Sequence, residues 1–433
     1  MDMTLVFIAG LAGMVFLMVL GMPLAFSAIL MTLVGLWFVQ GSDAALVTVG
    51  HGLYSSASKY TFTVVPLFIL MGHFISTAGF AQDLFWMSRQ WVGRLPGGLA
   101  SAVCVGGAGL GAACGSSTAS AAILTKVALP ELERSNYDIK LASGCIAAAG
   151  TLAVTIPPSV LIIIYGLMTE QSVGKLLIAG IIPGILTAGL FVVQITLRAW
   201  RNPALGPPVH GVTWTQRLVS LKGAWGISLV AILVLGGIYT GIFTPTEAGS
   251  IGAVGTLIIA LAKRRLTRKN LWESLTDTGR SVCMIFIVVS GMLIFTRLMA
   301  ITRVTYTVSE IVTGLPAHPL VILAVILSIY LVLGCFLDSW GMLVLTLPII
   351  FPASQALGFD PIWFGIIVVI MVEVGLLTPP VGMNIFMVRG AAPHLRTEDI
   401  FRGALPFFLS MILVIVLLIA FPQIVLFLPN LMR

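Results

Sequence analysis

Ten residues near the C-terminus, Gly375 to Asn384, read G-L-L-T-P-P-V-G-M-N inside an otherwise apolar stretch. Pro379 and Pro380 carry no backbone N–H, so a helix running through them cannot bond the carbonyls of Gly375 and Leu376. Inside a bilayer such oxygens cost several kcal/mol each unless something else meets them. Thr378, Gly382 and Asn384 add a hydroxyl, space and an amide oxygen beside the break. Oxygens of this kind suit a hard monovalent cation, and a helix restarting after the break presents its positive end to an anionic solute. A proline kink that only shapes packing is the plain alternative for one such stretch.

The stretch is not alone. Pro157 and Pro158, in T-I-P-P-S, lie 222 positions earlier, and the same offset carries Pro23 to Pro245 and Pro130 to Pro352. Four of the seven prolines in residues 1–200 therefore land on a proline, and Pro183 misses Pro406 by one position. With 12 prolines in the last 211 residues, fewer than one match is expected by chance. A repeat this long is no solenoid; it fits the paired halves of secondary transporters. The halves are residues 1–200 and 223–433, joined by a cytoplasmic linker over 201–222.

The elements that must position these residues follow from composition. The chain has 433 residues, 58% hydrophobic and 9% charged, against about 25% charged in a soluble globule. That predicts an all-α polytopic membrane protein. The net charge of +7 rests on 23 sparse Lys and Arg lying between apolar runs, which read as topology signals and not as a nucleic-acid surface. Cys104, Cys114, Cys145, Cys283 and Cys335 have no C-x-x-C spacing, and His51, His73, His210, His318 and His394 no metal-ligand spacing. Gly107-x-Gly109-x-Gly111 lacks the strand and the Gly-Lys-Ser/Thr of a phosphate loop and reads as close helix packing. Residues 4–20 lack a positive n-region and are read as a retained span, not a signal peptide.

Spans of about 20 apolar residues are predicted at 4–20, 24–40, 61–80, 139–167 (broken at Pro157), 175–197, 224–243, 247–262, 280–299, 362–388 (broken at Pro379) and 404–428. Two segments do not fit. Residues 97–130 and 319–352 each place two apolar arms around a polar tip, which predicts re-entrant hairpins buried against protein. Amphipathic stretches at 82–95 and 303–315 precede them, as surface helices or plain connectors. Threading the ten spans puts most basic residues on one side, which the positive-inside rule makes cytoplasmic; Arg297 and Arg303 are the minority. Five crossings per half is odd, so the second half is expected to insert inverted, with both termini periplasmic.

Each tip is expected to meet the broken helix of its own half. The first site combines Ser116, Ser117 and Thr118 with Thr155 and the carbonyls freed by Pro157 and Pro158; the second combines Asp338, Ser339 and Gly341 with Thr378, Gly382 and Asn384. The offset maps Ser116 onto Asp338 and Ser117 onto Ser339. A carboxylate at a helix centre costs about 2.5–3.5 kcal/mol, so Asp338 is kept either for a cation or because the tip is wet. Glu373 has Thr151 in place of an acid in the first half; it is a proton-sensitive group or a helix-to-helix hydrogen bond.

G-I-F-T-P-T-E-A-G (Gly241 to Gly249), G-S-S-T-A-S (Gly115 to Ser120) and G-L-L-T-P-P-V-G-M-N resemble signature segments of the large membrane subunit of TRAP (tripartite ATP-independent periplasmic) transporters. The resemblance covers essentially the whole chain. It implies a sodium-driven elevator importing an organic acid such as a C4-dicarboxylate or sugar acid, with no cofactor beyond the coupling ion Na+. It implies an inner-membrane location and two partners: a periplasmic solute-binding protein and a small four-helix membrane subunit on a separate chain. It also implies sodium at Ser116, Ser117, Thr118, Thr155, Asp338, Ser339, Gly341, Thr378, Gly382 and Asn384, and solute at Ser116, Ser159, Ser339 and Asn384. The alternatives are a self-sufficient ion-coupled citrate or dicarboxylate carrier, an intramembrane hydrolase using Asp338 or Ser116, and a passive channel.

Overall fold

The structure is a computed structural model describing residues 3–209 and 211–432, the side chains of 112–114 excepted. His210 and the Cys114 thiol, both noted in the sequence, lie outside that description.

Among the described residues the chain is helical, without strands. The first half holds α1 (Met3–Val19), α2 (Leu24–Gln40), α3 (Ser42–Ser58), α4 (Val64–Thr77), α5 (Phe80–Val92), α6 (Gly98–Cys114), α7 (Ser117–Arg134), α8 (Ile139–Thr155), α9 (Val160–Met168), α10 (Val173–Ala179) and α11 (Ile181–Arg201). The second holds α12 (Trp214–Tyr239), α13 (Pro245–Ala262), α14 (Arg268–Ile301), α15 (Val304–Gly314), α16 (Pro319–Gly334), α17 (Ser339–Ala356), α18 (Pro361–Gly375), α19 (Met383–Ala391), α20 (Thr397–Ala420) and α21 (Gln423–Leu431). Helix bounds recur at the offset of 222: α7 starts at Ser117 and α17 at Ser339, and both run 18 residues.

The spans differ from expectation in ways the breaks explain. Among the described residues seven helical segments are long and apolar enough to cross a membrane, or eight if α8 and α9, bent by 43°, count as one. Ten were expected. α1 and α2 are 17 residues each, just short of the usual span, and α18 is separated from α19 by residues 376–382. The expected span 404–428 divides where α20 ends at Ala420, ahead of Pro422. The hairpins do not stop at Pro130 and Pro352: those prolines lie inside α7 and α17, which run on to Arg134 and Ala356. At 16 residues α16 is shorter than the usual span. Helix α3 was not expected at all. Helix α12 begins inside the expected linker, because Thr213 and Gln216 form a reciprocal capping box there.

Two helices form the interior. In α8 every residue from Leu141 to Thr155 is buried, and in α18 every residue from Trp363 to Gly375. A helix apolar on all sides belongs inside a bundle, and around α8 pack α6, α7, α11, α18, α19 and α20. Peripheral helices are held differently. Helix α5 buries Phe80, Leu84 and Phe85, and its Asp83 accepts two hydrogen bonds from Arg265, at 2.6 and 3.1 Å. Lys263 at the end of α13 stands 3.6 Å from the same carboxylate. Helix α15, at the equivalent place in the second half, buries only Val304. Helix α14 is unbroken for 34 residues, where the first half splits into α3, the 3-10 turn Tyr60–Thr63 and α4.

Candidate ion and solute site at the hairpin tips

The return helix of each hairpin opens on a side-chain cap. Ser116 precedes α7 with extended backbone and accepts the N–H of Ala119 at 3.5 Å, its hydroxyl 3.3 Å from that of Thr118. Asp338 does the same for α17, accepting the N–H of Gly341 at 3.2 Å. Ser, Thr and Asp favour this position because a side-chain oxygen there satisfies an orphan N–H of the first turn. The equivalence of Ser116 and Asp338 is therefore a shared local role, and Asp338 adds a charge to it.

Both tips lie on the broken helices through close backbone approaches. A Cβ on Gly111 of α6 would stand 2.5 Å from the Ala153 Cα of α8, and a Cβ on Gly334 of α16 would stand 2.4 Å from the Gly375 Cα of α18. Only glycine permits such contact. The glycine-rich front of the first hairpin is thus packing.

The breaks differ in how they treat their carbonyls. Helix α8 ends at Thr155, and Ser159, fully buried, caps α9 by accepting the Ile162 N–H at 3.4 Å. Among the described residues no hydrogen bond reaches the carbonyls of Ala153, Val154 and Thr155. The Thr155 hydroxyl is turned back onto the Thr151 carbonyl at 2.9 Å. At the second break the expectation of bare oxygens on Gly375 and Leu376 is corrected: Gly375 accepts the Thr378 N–H at 3.0 Å and Leu376 accepts the Asn384 N–H at 3.3 Å. The longer gap lets the chain turn twice and bring its own donors round. Gly382, at φ +60°, starts α19 with no side-chain cap. The bonds Pro157–Pro158 and Pro379–Pro380 are both cis.

Several placements were not foreseen. Cys335 donates its S–H to the Pro379 carbonyl at 3.0 Å, tying the second tip to its break. Thr378 donates to Val374 within its own turn, at 2.9 Å. Asn384, fully buried, reaches into the other half: its Nδ2 donates to the Ala147 carbonyl of α8 at 3.3 Å, and its Oδ1 has no partner among the described residues. No hydrogen bond among those residues joins Asp338 or Gly341 to Thr378, Gly382 or Asn384.

Most informative is Glu373. Its side chain is 0% exposed; Oε1 accepts the Ser339 hydroxyl at 3.4 Å, and the Ser117 hydroxyl faces the same carboxyl. Two serines expected in separate sites are thereby brought to one acid. Glu373 lies on one half only, so the repeat could not flag it; its one sequence signal was an acid in an apolar run.

Hairpins folded against interrupted helices, in a chain this apolar, define a polytopic membrane protein built as solute carriers are. The chain belongs to the tripartite ATP-independent periplasmic transporter family, DctM component, whose sequence model matches residues 11–424. The C4-dicarboxylate TRAP transporter large permease protein DctM of Pseudomonas aeruginosa is 34% identical over 381 residues, covering 87% of this chain and 88% of its own. The isethionate TRAP transporter permease protein DctMQ of Oleidesulfovibrio alaskensis is 30% identical over 95% of this chain, matching 64% of that protein. The solved Alcanivorax borkumensis YdaH transporter has a similar fold, with a TM-score of 0.60 at 14% identity over 89% of this chain and 90% of that one.

Proposed function

We propose that this chain is the permease of a sodium-coupled importer, in the bacterial cytoplasmic membrane, of an organic acid delivered by a periplasmic binding protein. The observation that carries the reading is the double contact of tip on break, Gly111 against Ala153 and Gly334 against Gly375, in a member of this family. Free carbonyls at the first break, the Ser116 and Asp338 caps and the bare start of α19 supply oxygens for sodium and N–H groups for a carboxylate. Sodium is assigned to Ser116, Ser117, Thr118, Thr155, Asp338, Ser339, Gly341, Thr378, Gly382 and Asn384, and solute to Ser116, Ser159, Ser339 and Asn384.

In this reading the halves are inverted repeats, and the hairpins with their broken helices move as one body against a frame that includes α12, α13 and α14. A relative whose printed name joins two subunits, DctMQ, supports a small membrane subunit as partner. Dicarboxylate and isethionate in the relatives' names support small organic acids as the solute class.

The test is reconstitution in proteoliposomes with a candidate small subunit and binding protein, following uptake of a labelled C4-dicarboxylate under an inward sodium gradient. Accumulation that needs sodium and the binding protein is expected. Accumulation by the chain alone would replace this reading with the self-sufficient carrier, and equilibration without accumulation would replace it with a channel.

A further inference from the structure

We propose that the linker between the two halves is a splint across the hinge at the foot of the first hairpin, and that it comes undone on one side whenever the hairpin body moves against the frame. The hinge is the turn between α5 and α6, Gly93-Arg94-Leu95-Pro96-Gly97, in which Gly97 takes φ +70°. Before it, α5 is bonded through Asp83 to Arg265 and Lys263 at the end of α13. Beyond it, α6 packs on α7 and α8.

The linker is fastened on both sides of that hinge. Toward the hairpin, the Gly206 carbonyl accepts the Gly97 N–H at 3.0 Å, and the Leu205 carbonyl accepts the Asp138 N–H at 3.0 Å. Tyr137, 6% exposed, completes this side: its hydroxyl donates to the Pro207 carbonyl at 2.8 Å and accepts the Leu99 N–H at 3.0 Å. Leu99 lies in the first turn of α6 and Asp138 caps α8, so one short segment holds both feet of the hairpin. Toward α5, the Val209 N–H donates to the Gly93 carbonyl at 2.9 Å, and the Arg94 guanidinium donates to the Val212 carbonyl. Between the two sets stand Pro207 and Pro208, whose fixed φ makes the segment a stiff spacer. Gly206 is pressed against Tyr137, where a Cβ would lie 2.6 Å from the ring. Backbone groups freed from such bonds must find new partners, so the splint favours the present arrangement of hairpin and α5. The second half has no counterpart. Among the described residues the hydrogen bonds of its corresponding turn, residues 315–319, stay within that turn and its flanking helices. The splint itself does not depend on the transport reading; only its release during transport rests on it.

The test follows opening of the splint by thiol labelling of the purified full-length chain in detergent. Val212 is 5% exposed, so the thiol of Val212→Cys meets N-ethylmaleimide only when the α5 side lets go. Mass spectrometry reads modification at position 212 and, as the internal control, at the exposed Cys283. Labelling at 212 should be slow beside that of Cys283. Adding Tyr137→Phe, which loosens the hairpin side alone, should speed it about two- to tenfold, the weight of one ordinary hydrogen bond, and leave Cys283 unchanged. An unchanged rate at 212 would mean two separate contacts and would overturn the splint, as would labelling at 212 as fast as at Cys283 from the start. Should Val212→Cys fail to fold, amide exchange over residues 93–99 and 205–213 replaces it: Tyr137→Phe must speed both, and a change in the first alone would overturn the proposal. For release during transport, the labelling is repeated in proteoliposomes with the candidate small subunit and binding protein. Sodium with a C4-dicarboxylate should raise the rate at 212 in a preparation that accumulates solute, and an unaltered rate there would overturn release. Failure to accumulate would refute the transport reading instead, and the Tyr137→Phe result would still decide the splint.

Discussion

Replacing Gly334 with alanine tests the contact on which the second tip rests. The new methyl would lie 2.4 Å from the Gly375 Cα, where ordinary contact begins at 3.4 Å, so α16 must back away from α18 by about 1 Å. The obstacle is backbone on a fully buried helix, so no rotamer change relieves it. Overpacking of this kind costs about 1–3 kcal/mol, and a 1 Å displacement of positioning groups can cost about 100-fold in rate. The same displacement would pull Cys335 off the Pro379 carbonyl. Gly189→Ala is the internal control: a methyl there meets nothing within 4 Å, and alanine in a helix gains up to about 1 kcal/mol over glycine. Thermal midpoints in detergent and sodium-driven uptake in proteoliposomes should therefore move in opposite directions or by very different amounts. Equal midpoints and uptake for Gly334→Ala and Gly189→Ala would refute the close crossing of α16 and α18.

Replacing Pro157 and Pro158 together with alanine should rebuild the helix across the first break and abolish uptake; uptake at the wild-type rate would remove the break from the mechanism. Asp338→Asn keeps the α17 cap, since Asn and Asp cap almost equally well, so stability should change by less than about 0.5 kcal/mol while sodium dependence weakens. An unaltered sodium response would confine Asp338 to capping. Asp83→Asn removes the carboxylate that Arg265 and Lys263 share and should lower the midpoint and speed amide exchange in α5, with Asp83→Asn/Arg265→Gln recovering part of the loss; unchanged exchange in α5 would show that the ion pair holds nothing.

Much of this architecture is written locally. The helix breaks were legible because proline removes a donor wherever it sits, and the tips because serine and aspartate ahead of an apolar run are capping residues. Helix α3 escaped notice since S-D-A-A-L-V-T-V-G-H-G-L-Y-S-S-A-S mixes small and polar residues without a long apolar run. The fate of the Gly375 and Leu376 carbonyls depended on how the chain turns after α18, which a straight-helix argument cannot follow. Glu373 and Asn384 depended on the two halves meeting. Asn384 bonds Ala147, some 237 positions away, and no periodicity within one half announces such a partner.

The unbroken α14 has a consequence for how the molecule sits in its lipid. Its 34 residues span about 51 Å at 1.5 Å each, against a hydrocarbon core of about 30 Å. Roughly 20 Å must stand clear or be taken up by tilt, and the first turns, with Arg268, Lys269, Glu273, Asp277 and Arg280, are the part suited to headgroups and water. Such a rod is a depth gauge: labels stepped along it from Arg268 toward Ile301 would read membrane thickness against a fixed scale, and thicker bilayers should draw its charged end inward before any other helix feels the mismatch.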